Sequence, residues 1–305
     1  KEAMVLTLDG VGEWATAAAA IGRGTDLQIL KEIHFPHSLG LLYSAFTAYL
    51  GFRVNSGEYK VMGAAPYGTP RYYDQVRELI DIKEDGSFAL NMDYFSFDVG
   101  KETFNRKFEQ LFGGPARQAE TKLTPRAFDI AASIQKVTEE IVVKMARHFH
   151  KETGIPNLCM AGGVALNCVA NGKILRETPI KNIFVQPAAG DAGGALGVAL
   201  FAHHVLGKNP ERIAMENAYW GPEFSPGEMA EVLSRENMPF KPMPEQELLE
   251  QTAQWIKEGK VVGWFQGRME FGPRALGNRS ILGDARNPRM KDIINEKIKL
   301  REGFR

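Results

Sequence analysis

The chain has 305 residues, 44% of them apolar and 24% charged, ordinary values for a soluble protein with room for a large core and two domains. Lysine plus arginine equals aspartate plus glutamate at 37 each, so charge gives no support to a nucleic-acid partner, and no apolar run approaches the ~18 residues of a membrane span. Two cysteines, Cys159 and Cys168, argue against a disulfide scaffold and for a reducing, cytoplasmic setting with no signal peptide.

Met4–Leu8 reads as a strand that opens almost at once, which predicts that the sequence starts inside a longer protein. It runs into Asp9, Gly10, Val11, Gly12 and Glu13, and Ala15–Ile21 reads as a returning strand or buried run. The expected hairpin either wraps a phosphate with Gly10 and Gly12 or makes a plain Asp-Gly turn. His34 to Phe52, with Leu39, Leu42, Tyr43, Phe46 and Leu50 at mixed spacings of three and four, predicts a buried helix. His34 and His37 flank its start, where capping or packing suits them better than a metal pair. Glu58 and Lys60 face a cleft if their loop borders one, and are otherwise a solvated pair. Residues 69–120 scatter aromatic side chains among charges and read as an insertion that packs on the core or forms a lid. Thr124 and Pro125 open a strong helix as N-cap and first-turn residue, with one apolar stripe through about His148.

Asn157–Leu200 is the most informative stretch. Leu158–Ala161 is a short apolar run that stops at Gly162 and Gly163, and Ile183–Val185 is another that closes at Pro187 before Gly190, Asp191, Gly193 and Gly194. Each precedes a helix-compatible segment, so the pattern is strand, glycine turn, helix, used twice. Such turns let backbone approach a ligand closely, and a helix N-terminus offers free N–H groups to an anion. Two tight connections in an ordinary α/β domain would show the same pattern; the acidic residue inside the second turn favours a nucleotide site. Beyond Gly207, Lys208 to Pro244 reads as a connector with one short helix near Gly227–Arg235. Glu245–Glu258 reads as an amphipathic helix, Val261–Phe265 as a strand and Asn287–Lys299 as a charged helix. Directly after that strand, Arg268, Arg274 and Arg279 alternate with Gly267, Gly272 and Gly277. Arginine forks suit phosphate and carboxylate, so an anion site is favoured over a surface loop with structural arginine–glutamate pairs.

Five stretches resemble the O-carbamoyltransferase family of antibiotic and nodulation-factor biosynthesis. They are Leu6–Glu13 (LTLDGVGE), Ser56–Gly63 (SGEYKVMG), Ala161–Asn167 (AGGVALN), Gly190–Gly197 (GDAGGALG) and Gly263–Leu282, and they span nearly the whole chain. The last, with RMEFGPRALGNRS, is the most specific. The resemblance implies an α/β fold. Residues 1–207 would be the second half of an actin-like, ribonuclease-H-type ATPase domain, 208–244 a connector, and 245–305 the start of a YrdC-like domain. It implies an enzyme that makes carbamoyl adenylate from ATP and carbamoyl phosphate and passes the carbamoyl group to a hydroxyl of a small-molecule or glycoside acceptor. A divalent metal, commonly iron, would sit beside the acceptor, with magnesium accompanying ATP. Asp9 and Asp191 match the metal-ligand aspartates, and Gly162–Gly163 the adenosine turn. Gly10, Gly12, Glu58, Lys60, Asn167, Gly193 and Gly194 are the further nucleotide-binding candidates, and Arg268, Arg274 and Arg279 the catalytic ones. The family's His-x-x-x-His segment is absent, His34 and His37 do not replace it, and the sequence looks truncated at both ends.

The chemistry agrees with this assignment. Carbamoyl carbon is a poor electrophile, adenylation supplies a leaving group, and arginines neutralise the phosphoryl charge. The acceptor hydroxyl needs a metal or a general base, for which Asp191 and then Asp9 are the candidates. An actin-like sugar or acetate kinase and a non-catalytic nucleotide-binding module are the alternatives. Carbamoyl phosphate dependence separates the first from the carbamoyltransferase reading, and any turnover removes the second.

Overall fold

Met4, Leu6 and Leu8 are buried on one face of β1 (Glu2–Leu8), the central strand of a five-stranded sheet. In the computed structural model, which describes residues 2–100, 102–211 and 214–305, β1 pairs antiparallel with β2 (Ala15–Arg23), Leu8 lying opposite Ala17. Alanine is a poor strand former, yet β2 is extended because a strand pairs it on each side; tertiary pairing overrides local preference. Its outer partner is β3 (Asp26–His34), antiparallel and almost wholly exposed. Its Leu27, Ile29 and Leu30 are exposed, and β3 has no counterpart among the predicted elements.

The chain then crosses to α1 (Leu39–Tyr49), capped by the Ser38 hydroxyl, and continues through α2 (Glu58–Ala64) and α3 (Tyr73–Glu78). A hairpin of β4 (Ile80–Ile82) and β5 (Phe88–Leu90) and a short helix, α4 (Arg106–Leu111), follow. Thr124 and Pro125 start α5 (Pro125–Thr153) as the sequence predicts, and the helix runs five residues beyond His148 to stop at Gly154, whose φ of 70° is left-handed. It leads into β6 (Asn157–Ala161), parallel to β1 with Met4 opposite Leu158. A 3-10 turn over Gly163–Leu166, α6 (Cys168–Glu177) and β7 (Asn182–Val185), parallel to β6, complete the sheet. Strand order is β3-β2-β1-β6-β7. From β7 the chain enters α7 (Ala192–Phe201), which widens into a π-helical turn through Leu206.

The core lies under α5, whose buried face includes Ile130, Ile134, Val137, Ile141 and Met145 and packs on α1, α2, α3 and α6. The aromatic residues of 69–120 join this core. Phe108 and Phe112 pack edge-on against Phe46 of α1, with ring centroids 5.2 and 5.1 Å away, and all three are fully buried. The segment is therefore part of the core and not a lid.

Residues 212–305 form a second compact unit. Its elements are α8 (Pro226–Arg235), opened by a capping box between Ser225 and Glu228, then α9 (Glu245–Lys257) and the antiparallel pair β8 (Val262–Phe265) and β9 (Arg279–Leu282). It ends in α10 (Met290–Ile293), continued by a π-helical turn to Lys299. Among the described residues no helix is long and apolar enough to cross a membrane.

Removing the Phe108 ring leaves a cavity at the centre of the aromatic cluster. Phe108→Ala is expected to cost about 3–5 kcal/mol, read as a lowered urea midpoint for the transition reported by near-UV circular dichroism.

Candidate functional site

Three loops meet at the carboxyl ends of the parallel strands β1, β6 and β7, the edge at which open α/β sheets hold their ligands. Asp9 leaves β1, Gly162 leaves β6, and 186–191 leave β7. Gly162 has a φ of 90°, and a Cβ there would lie 2.2 Å from the Leu8 carbonyl oxygen, so only glycine lets β6 turn this close to β1. Its N–H donates to the Ala189 carbonyl at 2.8 Å, which ties the β6 and β7 loops together. The next N–H, of Gly163, donates to Asp9 Oδ1 at 3.2 Å, and Gly10 N–H donates to the same oxygen at 2.8 Å. Asp9 Oδ2 accepts no hydrogen bond among the described residues. The Asp9 carbonyl is fixed separately, by the Ser38 hydroxyl at 2.9 Å.

The glycines of these loops divide into two kinds. A Cβ on Gly12 or Gly193 would lie 2.7 Å from the Ala15 carbonyl oxygen or 2.3 Å from that of Ala188, so these two serve backbone packing. Gly10 and Gly194 have nothing within 4 Å of an added Cβ, and Gly163 meets only Asp9 Oδ1 at 3.4 Å. Open space beside backbone is what a ligand approaching closely requires. Asp191 sits at the start of α7, exposed, and its side chain does not cap the helix.

Other predicted residues are engaged elsewhere. Glu58 accepts from Asn55 N–H and the Ser44 hydroxyl, both at 2.9 Å, and from Gly57 N–H at 3.1 Å. Lys60 lies over the Phe52 ring, 5.4 Å from its centroid. The Asn167 side chain is buried against α5 and caps α6 through Ala170 N–H at 3.1 Å. His37 Nδ1 accepts from Leu90 N–H at 3.1 Å, and His34 pairs with Glu32, which leaves both in packing roles.

Sequence reasoning missed the polar network beneath the loops. Asn167 and Gln135 exchange two hydrogen bonds, Asn167 Nδ2 to Gln135 Oε1 at 2.9 Å and Gln135 Nε2 to Asn167 Oδ1 at 3.1 Å. The Tyr43 hydroxyl donates to Gln135 Oε1 at 2.9 Å, Gln135 Nε2 donates to Glu139 Oε1 at 2.8 Å, and Lys173 pairs with Glu139 Oε2 at 2.8 Å. Its signal in the sequence is a glutamine and a glutamate interrupting the apolar stripe of α5, since such residues are buried only when paired. Two cavities, of about 600 and 330 Å3, lie away from the loops. The first borders α3 and the β4–β5 hairpin, and the second lies between β2–β3 and the end of α5.

In the second unit the arginine loop joins β8 to β9 and is organised around Glu270. This carboxylate is 7% exposed and accepts from the backbone N–H groups of Leu276, Asn278 and Arg279 at 2.8, 2.9 and 3.3 Å. The Leu276 bond, first among these, holds its pKa down at about 2. The three arginines are not equivalent. Arg279 lies half-buried over the Phe265 ring, 3.5 Å from its centroid, and donates to the carbonyls of Gln266, Asn278, Gly267 and Pro222. Arg268 is exposed beside Glu223, 3.6 Å away, and Arg274 is exposed. Part of the segment read as a connector docks here: Gly221 N–H donates to the Met269 carbonyl at 2.9 Å, Met269 N–H to that of Pro222 at 3.0 Å, and Phe271 N–H to that of Ala218 at 2.7 Å.

Residues 1–200 match the family model "Carbamoyltransferase N-terminus", and residues 253–305 match "Carbamoyltransferase C-terminus". The chain belongs to the carbamoyltransferase family. All of it aligns with an uncharacterized protein of Synechocystis sp. at 54% identity, covering 51% of that protein, and with nodulation protein NolNO of Sinorhizobium fredii at 40% identity, covering 43%. A 3'-hydroxymethylcephem-O-carbamoyltransferase of Streptomyces clavuligerus is 34% identical over 58% of this chain and 32% of its own. The chain thus spans about half the length, or less, of these carbamoyltransferase-family relatives. The crystal structure of HypF from T. kodakarensis superposes on 68% of this chain and 34% of its own with a TM-score of 0.30 and 14% identity.

Two outcomes are expected for this family member. Gly162→Ala should destabilise the first unit by more than about 2 kcal/mol, through positive φ and the Leu8 clash together, whereas Gly194→Ala, inside α7, should be neutral or gain up to about 1 kcal/mol; chemical denaturation of both variants checks this. The Glu270 contribution, from a depressed pKa, is present in full above the ordinary glutamate range and is lost as pH falls from there to about 2. Tryptophan fluorescence from this unit should report loosening of the loop over that window, and Glu270→Gln should flatten the acid transition.

Proposed function

We propose that the protein transfers a carbamoyl group to a hydroxyl of a small-molecule or glycoside acceptor, through a carbamoyl adenylate made from ATP and carbamoyl phosphate. The observation that carries this reading is the convergence of Asp9, Gly162–Gly163 and Gly190–Asp191 at one sheet edge, in a chain of the carbamoyltransferase family. The meander β1–β3 followed by parallel β6 and β7 supports an actin-like, ribonuclease-H-type arrangement for the first unit, and a YrdC-like assignment is the matching proposal for 245–305. The cephem-modifying relative supports a hydroxyl acceptor. A reducing, cytoplasmic setting is part of the same proposal.

In this reading Gly10, Gly163 and Gly194 give a nucleotide room to lie against backbone. Asp9 Oδ2 and the Asp191 carboxylate are the oxygen donors on offer to a divalent cation, and such donors suit a hard or borderline ion. Among the described residues no group of three or more histidine, cysteine, aspartate or glutamate side chains could hold a metal ion, so in this reading the two carboxylates supply only part of a ligand set. A bound cation would lower the pKa of the acceptor hydroxyl. Arg268 and Arg274 would bind the phosphoryl group of carbamoyl phosphate, while Arg279 holds the loop that presents them.

The test is a half-reaction pair in the full chain. Arg274→Ala should lower carbamoyl adenylate formation by about a hundredfold, measured by mass spectrometry, yet still carbamoylate acceptor from presynthesised adenylate. Asp9→Asn should do the reverse. Equal loss of both steps in both variants sinks the division of roles, and wild-type protein that forms no adenylate sinks the route.

A further inference from the structure

We propose that Gln135 is a positioning residue: paired with Asn167, it fixes the Gly162–Leu166 turn whose Gly163 N–H orients the Asp9 carboxylate. The proposal rests on the reading of Asp9 and this turn as binding surface, and its test separates the two. Asn167 is the joint between the turn and α6. Its N–H closes the turn on the Val164 carbonyl at 2.9 Å, while its own carbonyl and side-chain oxygen accept from Asn171 and Ala170 N–H, both at 3.1 Å, to start the helix. Where the joint sits relative to the sheet depends on what else holds Asn167, and that is the Gln135 amide.

Gln135 is itself immobilised. It is 4% exposed, accepts from Tyr43 of α1 and donates to Glu139 one helical turn further along α5. Burial, with the Glu139 and Glu58 charges adding to it, pushes the Tyr43 hydroxyl pKa far up, so it stays a donor at any physiological pH. Lys173 of α6 balances the Glu139 charge. The chain of contacts therefore links α1, α5 and α6.

An apolar contact here would tolerate sliding. A reciprocal amide pair does not, because displacing the turn leaves a donor and an acceptor buried without partners, and that cost far exceeds the net gain of making the bonds. The directional pair thus narrows the positions available to Gly163, and through its N–H to Asp9 Oδ1 it narrows those of the carboxylate. This division also separates the two jobs of Asn167: its bond to Ala170 starts a helix, and its bonds to Gln135 place a loop.

Two variants of the full chain test this. Gln135→Met keeps the length of the side chain and removes both bonds to Asn167, along with those to Tyr43 and Glu139. Asn167→Ser keeps a hydroxyl to cap Ala170 and loses the link to Gln135. Amide hydrogen exchange, read by mass spectrometry, should accelerate on the order of tenfold in peptides covering 9–13 and 161–166 in both variants, with 170–177 protected as in the parent. ATP affinity, measured calorimetrically in parallel, should fall at least fivefold. Unchanged exchange at 161–166 in either folded variant overturns the proposal, as does acceleration spread evenly through α5 and α6, the mark of a merely structural role. If the parent binds no ATP, the nucleotide reading of the loops fails while the exchange result still decides for or against positioning.

Discussion

The molecule depends on how closely the chain leaving β6 approaches β1. With β1 and β6 adjacent and parallel, the turn after Ala161 must pass against the Leu8 carbonyl, and a residue with a Cβ cannot make that pass at a φ of 90°. Gly162 satisfies the constraint, and its consequences propagate. Its N–H reaches across to Ala189, which brings in the β7 loop, and the following N–H turns toward Asp9. One backbone requirement therefore gathers three loops at a single edge, with no ion pair needed to hold them.

The second unit solves the same problem by opposite means. Its glycine-rich loop has long excursions from the β8–β9 pair, and charged side chains organise it from within. Glu270 gathers three N–H groups and Arg279 four carbonyls, so an anion and a cation each satisfy the backbone groups that suit them. A carboxylate that accepts several backbone N–H groups is favoured in its charged form. The result is a loop whose inner arginine is committed and whose outer arginines, Arg268 and Arg274, are on the surface.

Local patterns made much of this legible. Thr124 and Pro125 announce α5 because capping and proline geometry act within one turn, and Asp9, Gly162 and Asp191 stand out because glycine turns follow short apolar runs. What escaped the sequence is non-local. β3 is an exposed edge strand, and its pairing with β2 is not specified by its own residues. Asn167 looked like a ligand contact, but its partner Gln135 lies 32 residues away on a helix whose polar residues seemed incidental. Arg279 looked equivalent to Arg268 and Arg274, and only the fold shows that the carbonyls of 222, 266 and 267 surround it. The pairing of 218–222 with the arginine loop was hidden for the same reason: backbone hydrogen bonds leave no trace in side-chain pattern.

Charge separates the two candidate regions further. The loops 9–13, 161–166 and 186–197 contain Asp9, Glu13 and Asp191 and no lysine or arginine, within a chain whose formal charge is zero. The loop 266–279 contains three arginines and one glutamate, which is itself enclosed by backbone N–H groups. A bare phosphoryl anion is repelled by the first set and attracted by the second. The acidic edge suits hydroxyl donors and cations, and a nucleotide approaching it gains by carrying a divalent ion on its phosphates. The basic loop suits an acyl phosphate whose oxygens accept forked hydrogen bonds. The two-step chemistry proposed above has these same two demands, first for neutralising a phosphoryl group and then for activating a hydroxyl. Under that proposal the arginine loop answers the first demand and the acidic edge the second.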